Sequence, residues 1–224
     1  MPHNYVVTLD GPAGVGKTSL AKRVAEHLGI AYLDTGAMFR AVGWIVGLEG
    51  LKMPEDRLEE TFSRLSFSLE GKGALSRLLL NNEVLSEAIR TEAVGMAAST
   101  LGKLPQVRAR LKKAQQELGA SRSLVAEGRD MGTAVFPDAR FKFFLEAAAE
   151  ERARRRLLQL REMGQHAQYE PILNAIKIRD EQDRNRSIAP LKPAPDAIII
   201  NTTNLTLEEV FDAVIQGIEK RSAP

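Results

Sequence analysis

The chain has 224 residues, 31 basic against 29 acidic, 44% hydrophobic and without a cysteine; this suits one well-buried domain with room for an inserted lobe, and excludes disulfides, thiolate metal sites and cysteine nucleophiles. A net charge of +2 argues against a nucleic-acid partner, and no apolar run approaches bilayer-spanning length. The opening "MPHNYVVTLDG" lacks a basic n-region and turns polar at Asp10, so no signal peptide and a cytoplasmic address are expected.

Tyr5 to Leu9 reads as a short buried strand running into the turn "DGPAG". Leu20, Ala21, Val24, Ala25 and Leu28 then repeat at helical spacing, with Gly29 as a stop signal, and "IAYLD" follows as a second strand. From about Phe62 to Ser86 the rhythm changes. "SFSLE", "SRLLL" and "EVL", separated by "GKG" and "NN", predict a small antiparallel meander inserted into the frame. A helix is marked by Val107, Leu111, Ala114 and Leu118, and three more strands by "SLVAE", "FKFFL" and "AIIIN". The final helix opens on a capping box, Thr206 with Glu209, and carries one stripe of Leu207, Val210, Phe211, Val214, Ile215 and Ile218. Short hydrophobic strands alternating with helices predict an α/β fold, a parallel sheet flanked by helices.

"GPAGVGKTS" (Gly11, Pro12, Ala13, Gly14, Val15, Gly16, Lys17, Thr18, Ser19) lies between the first strand and the first helix and satisfies G-x-x-x-x-G-K-[ST]. The glycines let the backbone curl so that amide protons point inward, and the helix terminus adds a positive field. Lys17 can reach β- and γ-phosphates and the Thr18 hydroxyl can ligate Mg²⁺. A tight turn that merely needed glycines would explain neither residue. A guanine-reading N-K-x-D and a D-x-x-G switch are both missing from the sequence, which moves the reading from a signalling GTPase towards ATP and phosphoryl transfer to a small molecule.

Three further clusters fall where strands meet loops: "LDTGAMFR" (33–40), "EGRDMGTAVFPDA" (127–139) and "RDEQDRNRS" (179–187). With the glycine-rich loop, the strings "GRDMGT", "VFPDA", "EERARRR" and "RDEQDRNRSIAP" resemble the bacterial cytidylate kinase family over essentially the whole chain. The resemblance implies transfer of the γ-phosphoryl group of MgATP to CMP or dCMP. It also implies a core of about 1–36, 101–150 and 187–224, a nucleotide-binding lobe with the inserted meander (about 37–100) and a helical lid (about 151–186). A monomer acting on small molecules, with no nucleic-acid or membrane partner, is expected.

Cytosine offers an amine donor beside a ring nitrogen and a carbonyl, so its reader needs a carboxylate or hydroxyl and a cationic donor. The resemblance places Ser99, Arg108 and Asp130 at these tasks. For the acceptor phosphate it offers Arg40, Arg129 and Arg186, whose forked guanidiniums suit a dianion, with Thr35 and Phe39 beside them. That family often has a tyrosine where this chain has Phe39, so a hydroxyl contact is lost there. If helix continues through 179–187, Arg179, Asp183 and Arg186 share a face; the resemblance sends Arg179 and Asp183 to the ribose and Arg186 to base or phosphates. Asp180, Glu181, Gln182 and Arg184 fall mostly on other faces and are expected in solvent.

"ERARRR" has an apolar seam of Ala149, Ala153 and Leu157 and reads as a helix. The resemblance makes it the start of the lid, with Arg152 and Arg156 meeting adenine and the transferring phosphates. "NTTN" (201–204) takes the position where related kinases wrap adenine. Thr18 is the metal ligand, and the sequence leaves open whether Asp34 or Asp130 orders the metal's waters. The attacking oxygen of CMP is already anionic, so catalysis by positioning and charge neutralisation is expected from Lys17, Mg²⁺, Arg129, Asp130, Arg186 and the lid arginines, with no role for His3, His27 or His166. A kinase for another monophosphate or a metabolite such as shikimate, and a non-catalytic ATP-responsive module, are the competing readings.

Overall fold

The computed structural model describes residues 4–222. In chain order the elements are β1 (Val6–Asp10), α1 (Lys17–His27), β2 (Ala31–Asp34), α2 (Thr35–Val46), α3 (Glu55–Ser63), β3 (Phe67–Glu70), β4 (Arg77–Leu80) and β5 (Glu83–Val84). There follow α4 (Glu92–Leu101), α5 (Pro105–Ser121), β6 (Leu124–Gly128), β7 (Phe141–Glu146), α6 (Ala149–Glu162), α7 (Tyr169–Asn185), β8 (Ile198–Asn201) and α8 (Leu207–Ser222). Five parallel strands run in the order β2-β6-β1-β7-β8, and β3-β4-β5 form a separate antiparallel sheet. The chain divides into two compact units, one of residues up to 6 with 25–126, the other of 7–24 with 127–224.

In the second unit β1 pairs with β7, Val7 opposite Phe141 and Leu9 opposite Phe143, and β7 pairs with β8, Phe143 opposite Ile198 and Leu145 opposite Ile200. Phe141, Phe143, Phe144 and Leu145 are all buried, which is why β7 is largely apolar rather than alternating, with only Lys142 interrupting the run before Glu146. Each aromatic ring withdrawn in this way contributes about 1.5–3 kcal/mol. Helix α8 begins at the expected capping box: the Thr206 amide donates to the Glu209 carboxylate, and the Glu209 amide to the Thr206 hydroxyl.

In the first unit Asp34 caps α2 by accepting from the Ala37 amide at 2.9 Å. Helices α2 and α4 touch through Gly43, where a Cβ would lie 2.9 Å from the Ala98 nitrogen. The predicted meander is antiparallel, with Phe67 opposite Leu80 and Leu69 opposite Leu78. Asn81 and Asn82, with φ of 52° and 66°, make the two-residue left-handed turn that joins β4 to β5. Arg122 fastens its near edge by donating to the carbonyls of Leu69 and Gly71.

Three expectations change. Phe62 closes α3, buried at 4% exposure, so the meander starts at Phe67. "LDTGAMFR" is helical from Thr35 onward, because Asp34 provides the cap. Helix α7 stops at Asn185, and Arg186 has extended backbone, so Arg186 does not continue the helical face of Arg179 and Asp183.

Candidate active site

In the second unit the five-residue β1 delivers Asp10 directly to the glycine-rich loop. Gly11 takes φ +149°, and a Cβ there would lie 2.3 Å from the Leu145 carbonyl oxygen. Only glycine allows the loop to leave the sheet so close to β7. Pro12 and Val15 are buried beneath the loop, Ala13 is half-buried, and Gly14 and Gly16 also have positive φ. Helix α1 begins at Lys17, so the loop ends on that helix's unpaired amides. Thr18 and Ser19 are exposed in its first turn.

The Lys17 ammonium is buried and donates to the carbonyls of Gly11 and Pro12 at 2.8 and 2.6 Å. Burial pushes its pKa well below the usual lysine range; Arg129 and Arg179 push in the same direction, while Glu127 and Asp10 oppose them. The Thr18 hydroxyl donates to the Glu127 carboxylate, 2.8 and 3.1 Å from its two oxygens. Asp10 accepts from the Met131 and Gly132 amides at 2.9 and 2.7 Å. Desolvation raises it to about 6, against the lowering effect of those two hydrogen bonds. A Cβ on Gly132 would crowd the Thr8 hydroxyl at 3.0 Å and the Lys142 side chain at 3.3 Å, and would meet the Asp10 oxygen in ordinary contact at 3.5 Å.

Around the loop after β6 two ion pairs interlock. Arg129 Nε donates to Asp183 at 2.9 Å, and the Arg186 guanidinium donates to Asp130 at 3.2 Å while lying 4.0 Å from Asp183. Asp130 is buried, and Arg129, Asp183 and Arg186 are half-buried. The attraction within pairs so far withdrawn is screened less than at the surface, and it offsets the hydration these groups have lost. Arg179 is exposed, yet close enough to Lys17 for its charge to be felt there.

The basic run of α6 divides by partner. Arg152 is buried at 2% exposure, with Nε donating to Ala147 O at 3.0 Å and one terminal nitrogen to Ala13 O at 3.1 Å. Both of its terminal nitrogens also meet the two Asp180 oxygens, at 3.0 and 2.5 Å. Arg155 donates to the Thr202 carbonyl at 2.7 Å, and Arg156 is exposed against Gln159. Asp180 therefore corrects the expectation of a solvated carboxylate: it is 7% exposed, because Arg152 draws it down between α6 and α7.

In the first unit Thr35 is buried in the first turn of α2, and Arg40 is half-buried one turn on. A Cβ on Gly36 would lie 3.1 Å from an Asp34 oxygen and 3.5 Å from an Arg40 terminal nitrogen, so these groups cluster over the start of α2. Arg90 approaches Asp34 at 3.6 Å. The Arg108 guanidinium stacks 5.5 Å from the centre of the Phe39 ring and donates to Gly102 O, which gives Phe39 an apolar, cation-facing role in place of a hydroxyl contact. Ser99 is exposed on α4. Of the histidines, His27 and His166 are exposed, and His3 lies outside the described residues.

The family model described as cytidylate kinase matches residues 7–220. The chain belongs to the cytidylate kinase family. A cytidylate kinase from Oleidesulfovibrio alaskensis is 52% identical over 98% of this chain and 100% of its own length, and one from Nitratidesulfovibrio vulgaris is 54% identical over 96% and 93%. Among solved structures, a gluconokinase from Sinorhizobium meliloti aligns over 98% of this chain and 94% of its own, at 13% identity and a TM-score of 0.48.

In this cytidylate kinase family member the structure makes four polar residues prominent: Asp10, Glu127 and Arg90, to which the sequence reading gave no role, and Asp180, which it expected in solvent. Glu127 had a legible signal, a carboxylate at the end of a buried strand one residue before "GRD". Asp10 directly precedes the loop motif and had one too. Asp180 had none, since its partner lies 28 residues away on another helix.

Proposed function

We propose that this protein transfers the γ-phosphoryl group of MgATP to CMP or dCMP, releasing ADP and CDP or dCDP. The observation that carries the reading is the pairing of Arg186 with Asp130 and of Arg129 with Asp183 in the same unit as Lys17 and its glycine-rich loop. Two arginine forks and a buried carboxylate beside a phosphate loop supply both needs of a nucleotide acceptor, neutralisation of a dianion and a partner for a base amine.

A phosphate oxygen of CMP attacks the γ-phosphorus, and the bond from that phosphorus to the β-bridging oxygen breaks to release ADP. The attacking oxygen carries its own charge near neutral pH, so no general base is needed; the two described histidines are exposed. Lys17 presents its cation to the transferring group, and Arg129, Arg186 and Arg40 hold the acceptor phosphate with Thr35. Arg179 and Asp183 hold the ribose, Ser99 and Arg108 meet the base acceptors, and Asp130 takes the cytosine amine. The exposed Arg156 closes positive charge over ATP from α6. Uracil would put an oxygen against the Asp130 carboxylate, and two acceptors facing each other with no proton between them repel.

Thr18 fits a divalent cation: donating its hydroxyl proton to Glu127 leaves its oxygen lone pairs for the metal, and Glu127 is placed to accept from the metal's waters. When bound, Mg²⁺ neutralises charge on the phosphate oxygens. Among the described residues no helix is long and apolar enough to cross a membrane. A cytoplasmic monomer suits small, diffusible substrates.

The test is ADP release in a coupled assay with MgATP and CMP, dCMP, UMP, AMP or GMP in parallel. CMP and dCMP are expected to lead, and Asp130→Ala to erode the preference over UMP by about 10- to 100-fold. Equal rates with every acceptor would remove the cytosine assignment.

A further inference from the structure

Arg152 stands on α6 in a run of arginines whose charge suits ATP, yet its guanidinium is already spoken for. Its Nε goes to Ala147 O, and its terminal nitrogens go to Ala13 O and to both oxygens of Asp180. Four of its five N–H groups are thus committed inside the protein, at 2% exposure. Its stem packs beneath the loop, since a Cβ on Gly14 would lie 3.6 Å from the Arg152 Cβ, in ordinary contact.

The Ala13 contact has a directional consequence. In a trans peptide the carbonyl and the following amide point to opposite sides. With Ala13 O held towards Arg152, the Gly14 N–H points to the other side of the loop, where the amides of this motif gather around phosphate. Gly14 has φ +77° and no side chain to fix its peptide from within, so the orientation needs an outside hold. Arg152 provides it, and Asp180 holds Arg152 by a planar two-point fork that a lysine could not reproduce.

We propose that Asp180 is a positioning residue of the triphosphate site, acting through Arg152 to set the Ala13–Gly14 peptide. The inference rests on reading the glycine-rich loop as the ATP site. It also gives Arg152 a role different from direct contact with the transferring phosphates: its charge is spent on Asp180, and its effect on ATP passes through backbone. Because α7 also carries Arg179 and Asp183, the helix that meets the acceptor in the proposed function shapes the donor loop as well.

The experiment compares wild type with Asp180→Asn, Asp180→Glu, Arg152→Lys and the Asp180→Asn/Arg152→Lys double variant, with Glu181→Gln, an exposed neighbour, as control. ATP affinity is read by calorimetric titration, and kcat and KM for each substrate by ADP release. Asp180→Asn and Arg152→Lys should each weaken ATP binding about tenfold, the double variant no further, while KM for CMP at saturating ATP stays within about twofold. Asp180→Glu should recover part of the affinity, and Glu181→Gln should match wild type. Two results overturn the proposal: a lower melting temperature in Asp180→Asn with ATP affinity unchanged, or a loss of kcat at saturating ATP confined to Arg152→Lys, which would place Arg152 on the reacting phosphates. Wild-type protein that neither binds ATP nor releases ADP would instead remove the reading of the loop itself.

Discussion

Asp10 carries its charge at 4% exposure, supported by two amides that offset only part of its lost hydration. Its native pKa of about 6 stands above the ordinary 3.8, so in that interval the folded chain binds the extra proton. Ionised Asp10 therefore opposes folding at neutral pH, and its penalty is relieved as pH falls through 6 towards 3.8, by on the order of 3 kcal/mol in full. Asp10→Asn removes that titration while leaving other carboxylates to cancel in the comparison. Urea unfolding of the two proteins from pH 7 to about pH 4 should show wild type gaining on the variant by that amount. A difference that does not move with pH would mean that Asp10 titrates normally.

Helix α8 and helix α4 each contain a glycine, and the two should respond oppositely to the same change. A Cβ on Gly217 would lie 2.7 Å from the Phe143 ring and 2.9 Å from Ile198, both part of the packed β7–β8 face, whereas a Cβ on Gly95 meets nothing within 4 Å. Alanine brings about 1 kcal/mol of helix propensity at either site, but overpacking a rigid ring costs about 1–3 kcal/mol. Gly217→Ala should therefore lose roughly 1 kcal/mol and Gly95→Ala gain about 0.5–1 kcal/mol, as measured by denaturant midpoints at constant slope. At this scale the five sheet strands were readable, because each is a compact apolar or aromatic run bounded by turn residues. So was α8, from its capping box. Helix α2 was missed although its signal was present: Asp34 three residues before Ala37 is an N-cap, hidden by the expectation of a loop after a strand. Phe62 was misassigned because a single aromatic near a turn does not distinguish a helix end from a strand start.

Over the molecule as a whole, 31 basic and 29 acidic groups nearly cancel, and what matters is which of them are withdrawn from water and paired. Motifs singled out Arg129, Asp130, Asp183 and Arg186 as candidates, but their mutual pairing was not legible, and Asp180 shows how a charge run hides a buried carboxylate. If these groups receive CMP, its binding should appear as added stability. A hundredfold excess over Kd contributes about 2.7 kcal/mol, or roughly 5–10 °C in Tm for a chain of this size, with UMP well behind at equal concentration in a thermal-shift series. How the α6–α7 arm can travel depends on where it is tied. At its base the arm is tied to the turn after β8, Arg155 donating to the Thr202 carbonyl and the Ala148 amide to the Thr203 hydroxyl, and its two helices are riveted together by Arg152 and Asp180. Swinging the arm from its root would rupture the ties to Thr202 and Thr203, and with them the Arg152 contact to Ala13 O. Flexing it beyond Arg156, towards the bend where Gly164 takes φ +70°, ruptures none of them, so the cheap hinge is at the fingertip and not at the shoulder.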